Sequence, residues 1–275
     1  MNWKTMPTPL IIIKDLNFKF PSQDNWFFSN VNLQINANSK VVIYGKNGSG
    51  KSTLGKLIAG LYLPTSGQVI EKKTNDAEFF CSMVFQNPDH QIIGSTVLEE
   101  LALTSENLNV DRQKMHELVA NVLDQFGLTN YQDTSIQALS GGNKQKLCIA
   151  SCMLTNPQVI VFDEATSFLD TSDQIKINDL INSLHQKLHK TIILIMHQLT
   201  DLVDADQVIY LNQNHEIKLY DTKTFLDLIA NNELPNIIGK SDLMQLNQLL
   251  GLPLFTSLSQ TIKVLIEHEQ RNKTK

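Results

Sequence analysis

Residues 45–53 decide the fold, and they read Gly45-Lys46-Asn47-Gly48-Ser49-Gly50-Lys51-Ser52-Thr53. This run fits the pattern GxxxxGK[ST], whose interpretation depends on a buried strand before it and a helix after it. Val41–Tyr44 is a continuous apolar run, which is typical of a strand buried on both faces, and Lys51–Leu61 has a helical pattern. The sequence therefore predicts a strand, a glycine-rich loop and the N-terminus of a helix in direct succession.

This loop has the chemistry of a phosphate site. Glycines let the chain turn several backbone N–H groups toward one anion, and the helix N-terminus adds a partial positive charge. Lys51 is expected to contact the β- and γ-phosphates of a nucleotide, and the Ser52 hydroxyl to ligate Mg²⁺. We predict nucleotide contacts from Gly45, Asn47, Gly48, Ser49, Gly50, Lys51, Ser52 and Thr53. The alternative is a glycine-rich turn with a chance Lys-Ser pair, which the flanking elements disfavour.

Outside the loop, buried strands alternate with helices. This order predicts an α/β fold with a parallel sheet and right-handed crossovers. Leu10–Phe20 and Trp26–Ile35 are predicted strands joined by a polar turn, and they indicate a separate antiparallel β subdomain. The other predicted elements are strands at 81–85, 159–162, 192–196 and 208–211 and an amphipathic helix at 173–188.

Two segments complete the predicted domain organisation. A helical subdomain at about 88–156 is expected inside a nucleotide-binding domain of residues 1–225. Residues 226–275 lack strand signals, and Leu243–Leu250 and Thr261–His268 have helical patterns, which predicts a small helical C-terminal extension. Its apolar leucines favour a platform on which two subunits pair, whereas the polar residues 267–275 favour a loosely packed tail.

Composition excludes several classes of protein. The net charge of −5 gives no basic bias, so no nucleic-acid partner is expected. Three cysteines in 275 residues are too few for a disulfide framework. No apolar run approaches the ~18–20 residues of a spanning helix, and Met1–Pro9 lacks the pattern of a signal peptide. We therefore expect a cytosolic chain unless a partner holds it at a membrane.

Two adjacent carboxylates follow a second buried strand. Val159–Phe162 leads directly into Asp163 and Glu164. In this position Asp163 would hold Mg²⁺ through water, and Glu164 would be the base that polarises the attacking water. The alternative is a strand that ends in an ordinary polar turn.

A third motif, LSGGNKQ at residues 139–145, precedes a helical stretch. Ser140 is predicted to cap this helix, and Gly141 and Gly142 leave backbone donors exposed toward a phosphate. The alternative is a plain capped helix start.

The order of these motifs, together with Gln86 after one strand and His197 after another, resembles the ATP-binding cassette (ABC) ATPase family. The resemblance covers nearly the whole chain. It implies a P-loop NTPase with a RecA-like core, in which MgATP is bound and hydrolysed between two subunits. Gln86 would then touch Mg²⁺ and sense a transmembrane partner, and His197 would be the switch histidine near the γ-phosphate.

The same resemblance implies further roles. Ser140–Gly142 would be the family signature, which contacts the nucleotide held by the opposite subunit. Ser167–Asp170 matches the D-loop, which adds Asp170 to the expected nucleotide contacts, and Phe20 falls where the family places the aromatic ring that stacks on adenine. Asn143 and Lys146 stand where the family signature more often has Gln and Arg. These differences bear on the rate of ATP hydrolysis and not on the family resemblance.

Residues 84–91 (VFQNPDHQ), 163–170 (DEATSFLD) and 252–256 (LPLFT) resemble the energy-coupling factor (ECF) branch of the family. This implies uptake of vitamins or transition-metal ions. It also implies a second ATPase subunit, a transmembrane coupling protein and a substrate-binding membrane protein as partners, with the chain on the cytoplasmic side of the cell membrane. Asp89 is expected beside the groove for the coupling protein, where it would pair with an arginine.

Two other functions remain open from the sequence. The chain could be a non-transport ABC ATPase of translation or DNA repair, although such proteins usually carry two cassettes or a long coiled-coil insertion. It could also be a partner that binds ATP without hydrolysing it, against which Glu164 and His197 argue.

Overall fold

A computed structural model describes residues 8–72, 80–108, 111–196, 205–230 and 233–234. The strands are β1 (Pro9–Phe18), β2 (Phe28–Asn36), β3 (Lys40–Gly45), β4 (Ser66–Glu71), β5 (Cys81–Val84), β6 (Val159–Asp163), β7 (Thr191–Met196), β8 (Gln207–Leu211) and β9 (Ile217–Asp221). The helices are α1 (Lys51–Ile58), α2 (Val97–Glu106), α3 (Arg112–Gln125), α4 (Gly141–Leu154), α5 (Thr171–Leu188) and α6 (Thr222–Ala230).

The central sheet has six strands in the order β5-β6-β7-β3-β8-β9. All neighbours are parallel except β8 and β9, which form an antiparallel hairpin. Every residue of β3 and of β6 is buried, as their continuous apolar runs predict. Because β3 and β6 both pair with β7 in parallel, their carboxyl ends meet at one edge of the sheet. This edge receives the glycine-rich loop and the carboxylate pair.

Alternate residues of the central strands pack on opposite sides of the sheet. Val42, Ile160 and Ile192 face the core shared with α2–α5, whereas Val41 and Val161 face the core shared with α1 and the second sheet. The second sheet is antiparallel with the order β2-β1-β4. The predicted α/β class, the parallel sheet and the antiparallel subdomain are therefore confirmed.

Helices α2, α3 and α4 form the predicted helical region, and each begins where a polar side chain caps it. Thr96, Asp111 and Ser140 accept hydrogen bonds from backbone N–H groups three residues ahead. A short 3₁₀ turn at Pro88–His90, capped by Asn87, connects β5 to this region. In the described part of the chain, no helix has the length and hydropathy needed to cross a membrane.

Several predicted boundaries were wrong. The first helix ends at Ile58 instead of Leu61, because Gly60 adopts a positive φ of 72° directly after the cap. The first strand ends at Phe18 instead of Phe20. Strands β4 and β9 and helix α6 were not predicted. Helix α6 crosses the expected domain boundary at residue 225 and buries Phe225 and Ile229 in the main core. The two predicted helices of the C-terminal extension lie outside the described residues.

Candidate functional site

The glycine-rich loop follows β3 and leads into α1, as predicted. Gly50 has a φ of 102°, a conformation that favours glycine, and a Cβ there would lie 2.7 Å from the Phe27 ring. The loop's carbonyl groups are engaged within the protein. The Lys46 carbonyl accepts from the Ser49 N–H, and the Gly50 carbonyl accepts from the Leu54 N–H. With these carbonyls occupied, the loop can present N–H groups to an anion.

Lys51 is buried at the start of α1, with 6% of its surface exposed. Its Nζ donates to the carbonyls of Gly45 at 2.9 Å and Lys46 at 3.2 Å, and it lies 4.0 Å from Oε1 of Glu164. Burial lowers the pKa of Lys51, while the Glu164 and Asp163 carboxylates oppose that shift. The structure thus brings the predicted phosphate-binding lysine next to the predicted base.

Asp163 ends β6 and is also buried. Its Oδ1 accepts a hydrogen bond of 2.9 Å from the Ser52 hydroxyl, which joins the two residues expected to hold Mg²⁺. Burial raises the pKa of Asp163, and the Ser52 hydrogen bond opposes the shift. A carboxylate with this environment gains from a nearby cation, because burial disfavours its charged form.

Glu164 has a positive φ of 48°, which is uncommon for a residue with a Cβ. Its backbone N–H donates to the Ile195 carbonyl at 3.2 Å, and its Oε2 accepts from Nε2 of Gln86 at 3.0 Å. Strained backbone of this kind persists where surrounding contacts hold it and is frequent at functional sites. Glu164 therefore contacts both Gln86 and Lys51.

The residues present fit a nucleotide and a magnesium ion. The Ser52 hydroxyl, the Gln86 side-chain oxygen and the Asp163 carboxylate are the hard oxygen ligands that Mg²⁺ prefers. The buried hydroxyl of Ser49 has no hydrogen-bond partner among the described residues. A buried polar atom without a partner carries a free-energy cost that a bound ligand or water can remove.

The signature residues lie beside the D-loop. Ser140 caps α4 by accepting from the Asn143 N–H at 3.2 Å, and Asp170 caps α5 by accepting from the Asp173 N–H at 2.9 Å. A Cβ on Gly142 would overlap the Asp173 side chain, so a larger residue there requires Asp173 to shift. Among the described residues, no hydrogen bond joins Ser140–Gly142 to the Lys51 site of the same chain.

A cavity of about 290 Å³ joins three of the predicted motifs. It is lined by Gln86 and Asp89, by Gly141 and Lys144, and by Phe168 of the D-loop. Lys144 Nζ contacts Asp89 Oδ1 at 2.7 Å, so this carboxylate already has a cation from its own chain. The arginine of a coupling protein at Asp89 stays a prediction. Intact assembly and transport-coupled ATPase in Asp89→Ala would contradict it.

Phe20 belongs to a cluster of aromatic rings next to the glycine-rich loop. Its ring makes edge contacts with Phe18 and Phe27, both with centroids 5.1 Å apart, and with Tyr62 at 6.3 Å. The ring is only partly buried. Adenine stacking by Phe20 stays a prediction, and the predicted switch residue His197 lies outside the described residues.

An apolar groove lies between the central sheet and the helical region, with a volume of about 310 Å³. We call it the coupling groove, as the candidate site for the expected coupling protein, although Asp89 lines the cavity of about 290 Å³ instead. Its lining includes Leu61, Cys81, Met83, Phe85, Gln91, Ile93, Glu100 and Cys152. Ile93 and Leu61 are 86% and 53% exposed. Large exposed apolar side chains grouped around a concave surface are typical of a protein–protein contact.

One contact to the glycine-rich loop was missed by the sequence analysis. His215, in the turn between β8 and β9, places its Nδ1 3.0 Å from the Ser49 carbonyl. The only signal in the sequence is a polar turn after a buried strand, which carries no information about a loop 166 positions earlier.

Comparisons with known proteins agree with this geometry. The ABC transporter family model matches residues 28–167. An energy-coupling factor transporter ATP-binding protein, EcfA1 of Mycoplasma mobile, is 34% identical across 86% of this chain and 88% of its own length. The similarly named EcfA of Pediococcus pentosaceus is 38% identical across 74% of this chain and 75% of its own length.

Solved structures agree as well. The fold matches cbiO1 of Clostridium perfringens, described as part of the ABC transporter complex cbiONQ, with a TM-score of 0.69, 24% identity and coverage of 84% of this chain and 97% of that one. It also matches the ATP-binding cassette MJ0796, a dimer bound to ADP and Pi, with a TM-score of 0.64 and 26% identity. That match covers 77% of this chain and 98% of the cassette. The predicted fold class and family resemblance are therefore confirmed.

Proposed function

The chain belongs to the ABC transporter family, as an ATP-binding subunit of the energy-coupling factor type, and we propose that it hydrolyses MgATP between Lys51 and the Asp163–Glu164 pair. One observation carries the proposal. Lys51, Ser52, Gln86, Asp163 and Glu164, from three separate parts of the sequence, meet through hydrogen bonds of 2.9–3.0 Å and an ion pair of 4.0 Å.

Each residue has a role that follows from its contacts. Lys51 binds the β- and γ-phosphates once its Nζ leaves the loop carbonyls. Glu164 accepts a proton from the attacking water, and Gln86, bonded to its Oε2, sets its orientation. Ser52, Gln86 and Asp163 would hold Mg²⁺, and the ion would supply positive charge to the phosphate oxygens.

The site is completed by a second ATPase subunit. The N-terminus of α4 at Ser140 and Gly141 is exposed, and the neighbouring Phe168 of the D-loop is 73% exposed. A 14-residue helix with an open N-terminus favours an anion. The signature of this chain is assigned to the nucleotide bound by the second subunit, which is homologous or identical to this chain. Phe20 is assigned to stacking on adenine, and His197, outside the described residues, keeps the role of switch histidine that the family resemblance implies.

The other partners lie at the membrane. The coupling groove receives a cytoplasmic segment of a transmembrane coupling protein, whose apolar side chains cover Ile93 and Leu61. A substrate-binding membrane protein completes the complex, which takes up vitamins or transition-metal ions. The chain is then a peripheral protein on the cytoplasmic side of the membrane.

The burial of α6 supports a proposed domain division. The nucleotide-binding domain contains the helical subdomain at about 88–156 and extends through α6, because Phe225 and Ile229 are buried in the same core. The C-terminal extension, expected at 226–275, then begins after α6, and we assign it to pairing of the two ATPase subunits.

The test is purification of the membrane complex through a tag on this chain. We expect two classes of integral membrane chain and a second ATPase to accompany it, with phosphate release that requires both ATP and magnesium. Recovery of the chain alone from membranes, with no membrane protein at any detergent strength, would refute the assignment of partners. Absence of magnesium-dependent phosphate release from an intact complex would refute the assignment of chemistry.

A further inference from the structure

The turn between β8 and β9 reaches the glycine-rich loop from outside. His215 Nδ1 lies 3.0 Å from the carbonyl oxygen of Ser49. A carbonyl oxygen only accepts hydrogen bonds, so Nδ1 must carry the hydrogen. The contact is therefore a hydrogen bond that His215 donates to the backbone of the loop.

This hydrogen bond fixes the direction of one peptide group. In a trans peptide the carbonyl and the following N–H point in opposite directions, and the described residues contain no cis peptide. Holding the Ser49 carbonyl toward His215 therefore directs the Gly50 N–H to the opposite side of the chain. In this arrangement of the peptide group, Gly50 has a φ of 102°.

The donor to Ser49 differs in origin from the other donors. The Gly45 and Lys46 carbonyls accept from Lys51 Nζ, and the Gly50 carbonyl accepts from the Leu54 N–H, so these donors belong to the loop and its own helix. The Ser49 carbonyl instead accepts from a residue 166 positions away. The orientation of this peptide thus depends on the β8–β9 hairpin.

His215 is itself held firmly. Its φ of 61° is unusual for a residue with a Cβ. The Asn212 side chain closes the turn by accepting from the N–H groups of Asn214 at 2.9 Å and Glu216 at 3.0 Å. The imidazole stacks on Phe27 with centroids 4.0 Å apart and planes at 29°. A strained backbone conformation and a stacked ring together aim Nδ1 at Ser49.

We propose that His215 is a positioning residue of the nucleotide site, holding the Ser49–Gly50 peptide so that the Gly50 N–H faces the phosphates. This inference rests on the proposed function of the loop. His215 acts through the backbone and does not touch the nucleotide. It lowers the cost of ordering the loop when a diphosphate or triphosphate binds.

Two substitutions separate the hydrogen bond from the ring. Asn and Gly both tolerate a positive φ, and both remove the stacked imidazole. Asn Nδ2 is attached to Cγ, as is His Nδ1, so His215→Asn keeps a donor at the same place while His215→Gly has none. The purified full chain of each variant is titrated with ADP and magnesium in a calorimeter.

We expect His215→Gly to weaken ADP binding about three- to tenfold, the usual worth of one neutral hydrogen bond. His215→Asn should remain within about twofold of the unsubstituted chain. Adenosine, measured by displacement of a fluorescent ADP analogue, lacks phosphates and should bind all three chains equally. Thermal unfolding of each chain verifies that the variants are folded at the titration temperature.

Three outcomes overturn the role of His215: equal weakening by Gly and Asn, no weakening by Gly, or an equal loss of adenosine affinity. Failure of the unsubstituted chain to bind ADP would instead refute the proposed function of the loop and remove both proposals together. The two failures are therefore distinguishable from the first titration.

Discussion

The phosphate site and the coupling groove differ in what their side chains contact. In the phosphate site polar and charged side chains contact one another, as Lys51 with Glu164 and Ser52 with Asp163. In the coupling groove apolar side chains such as Ile93 face solvent, at 86% exposure. Under the proposed function, the first region exchanges internal polar contacts for a small anion, whereas the second gains when a partner protein covers its apolar surface. Variants in one region should therefore leave the function of the other largely unchanged.

The largest expected effect is in the phosphate site. Lys51→Ala should weaken MgATP binding on the order of 100-fold, because a charge-assisted contact to phosphate is lost. Its matched control is Lys56→Ala in the last turn of the same helix, which should stay within a few-fold. Calorimetric titration measures both. Normal recovery of membrane partners with Lys51→Ala would show that the phosphate site and the groove act separately. Near-normal ATP affinity of this variant would contradict the role of Lys51.

The next effect is in the coupling groove. Ile93→Gln should reduce recovery of the membrane partners about tenfold, because an exposed apolar contact is replaced by a polar group. Leu188→Gln, at an exposed leucine outside the groove lining, is the matched control and should have no effect. Quantitative co-purification measures recovery, and ATP titration verifies that the nucleotide site is intact. Loss of nucleotide affinity in Ile93→Gln would contradict the separation of the two regions.

A smaller effect is expected in the signature. Gly142→Ala should lower the free energy of unfolding by about 1–3 kcal/mol, because its Cβ would overlap the Asp173 carboxylate. Gly141→Ala is nearly neutral by the same reasoning, since its Cβ would lie 3.4 Å from the nearest atom, Cδ2 of Leu169. Denaturant unfolding of the two variants decides the point. Equal stability of both would show that α4 and α5 are not packed as described.

The smallest effect is a gain. Asp163→Asn should raise the free energy of unfolding of the nucleotide-free chain on the order of 1 kcal/mol at pH 7–8, or about 2–4 °C in Tm. Burial raises the pKa of Asp163, so its charge opposes folding above that pKa. The gain should disappear as the pH falls through the raised pKa toward about 4, where the unfolded carboxyl is also protonated. If the gain in the free energy of unfolding were the same at every pH, its cause would not be the charge of Asp163.

Local motifs explain what the sequence could predict. The run at 45–53 and the Asp163–Glu164 pair each follow a buried strand, and parallel strands bring such ends together without any further information. Strand β4 was not predicted because Ser66–Glu71 is mostly exposed and does not alternate between apolar and polar residues. Strand β9 was not predicted because Ile217–Asp221 is a short, partly exposed edge strand.

Contacts between distant segments account for the rest. Gln86 and Glu164 were each predicted from position, but their hydrogen bond across 78 residues needed the folded chain. The Lys144–Asp89 pair and the His215–Ser49 hydrogen bond carry no sequence pattern, because a polar residue in a turn is usually solvated. Helix α6 was not predicted because most of its apolar residues lie in the short segment 225–229, and so short a segment does not distinguish a helix from other structures.

The most direct test of the account compares ATP binding with ATP hydrolysis in the assembled complex carrying Glu164→Gln in this chain. Glutamine keeps the shape and the contact with Gln86 but cannot accept the proton of water. We expect MgATP affinity within a few-fold of the unsubstituted complex and a single-turnover rate at this site lower by about 10²–10⁴. Unchanged hydrolysis at that site would contradict the assignment of Glu164 as the base and, with it, the proposed hydrolysis of MgATP between Lys51 and the Asp163–Glu164 pair.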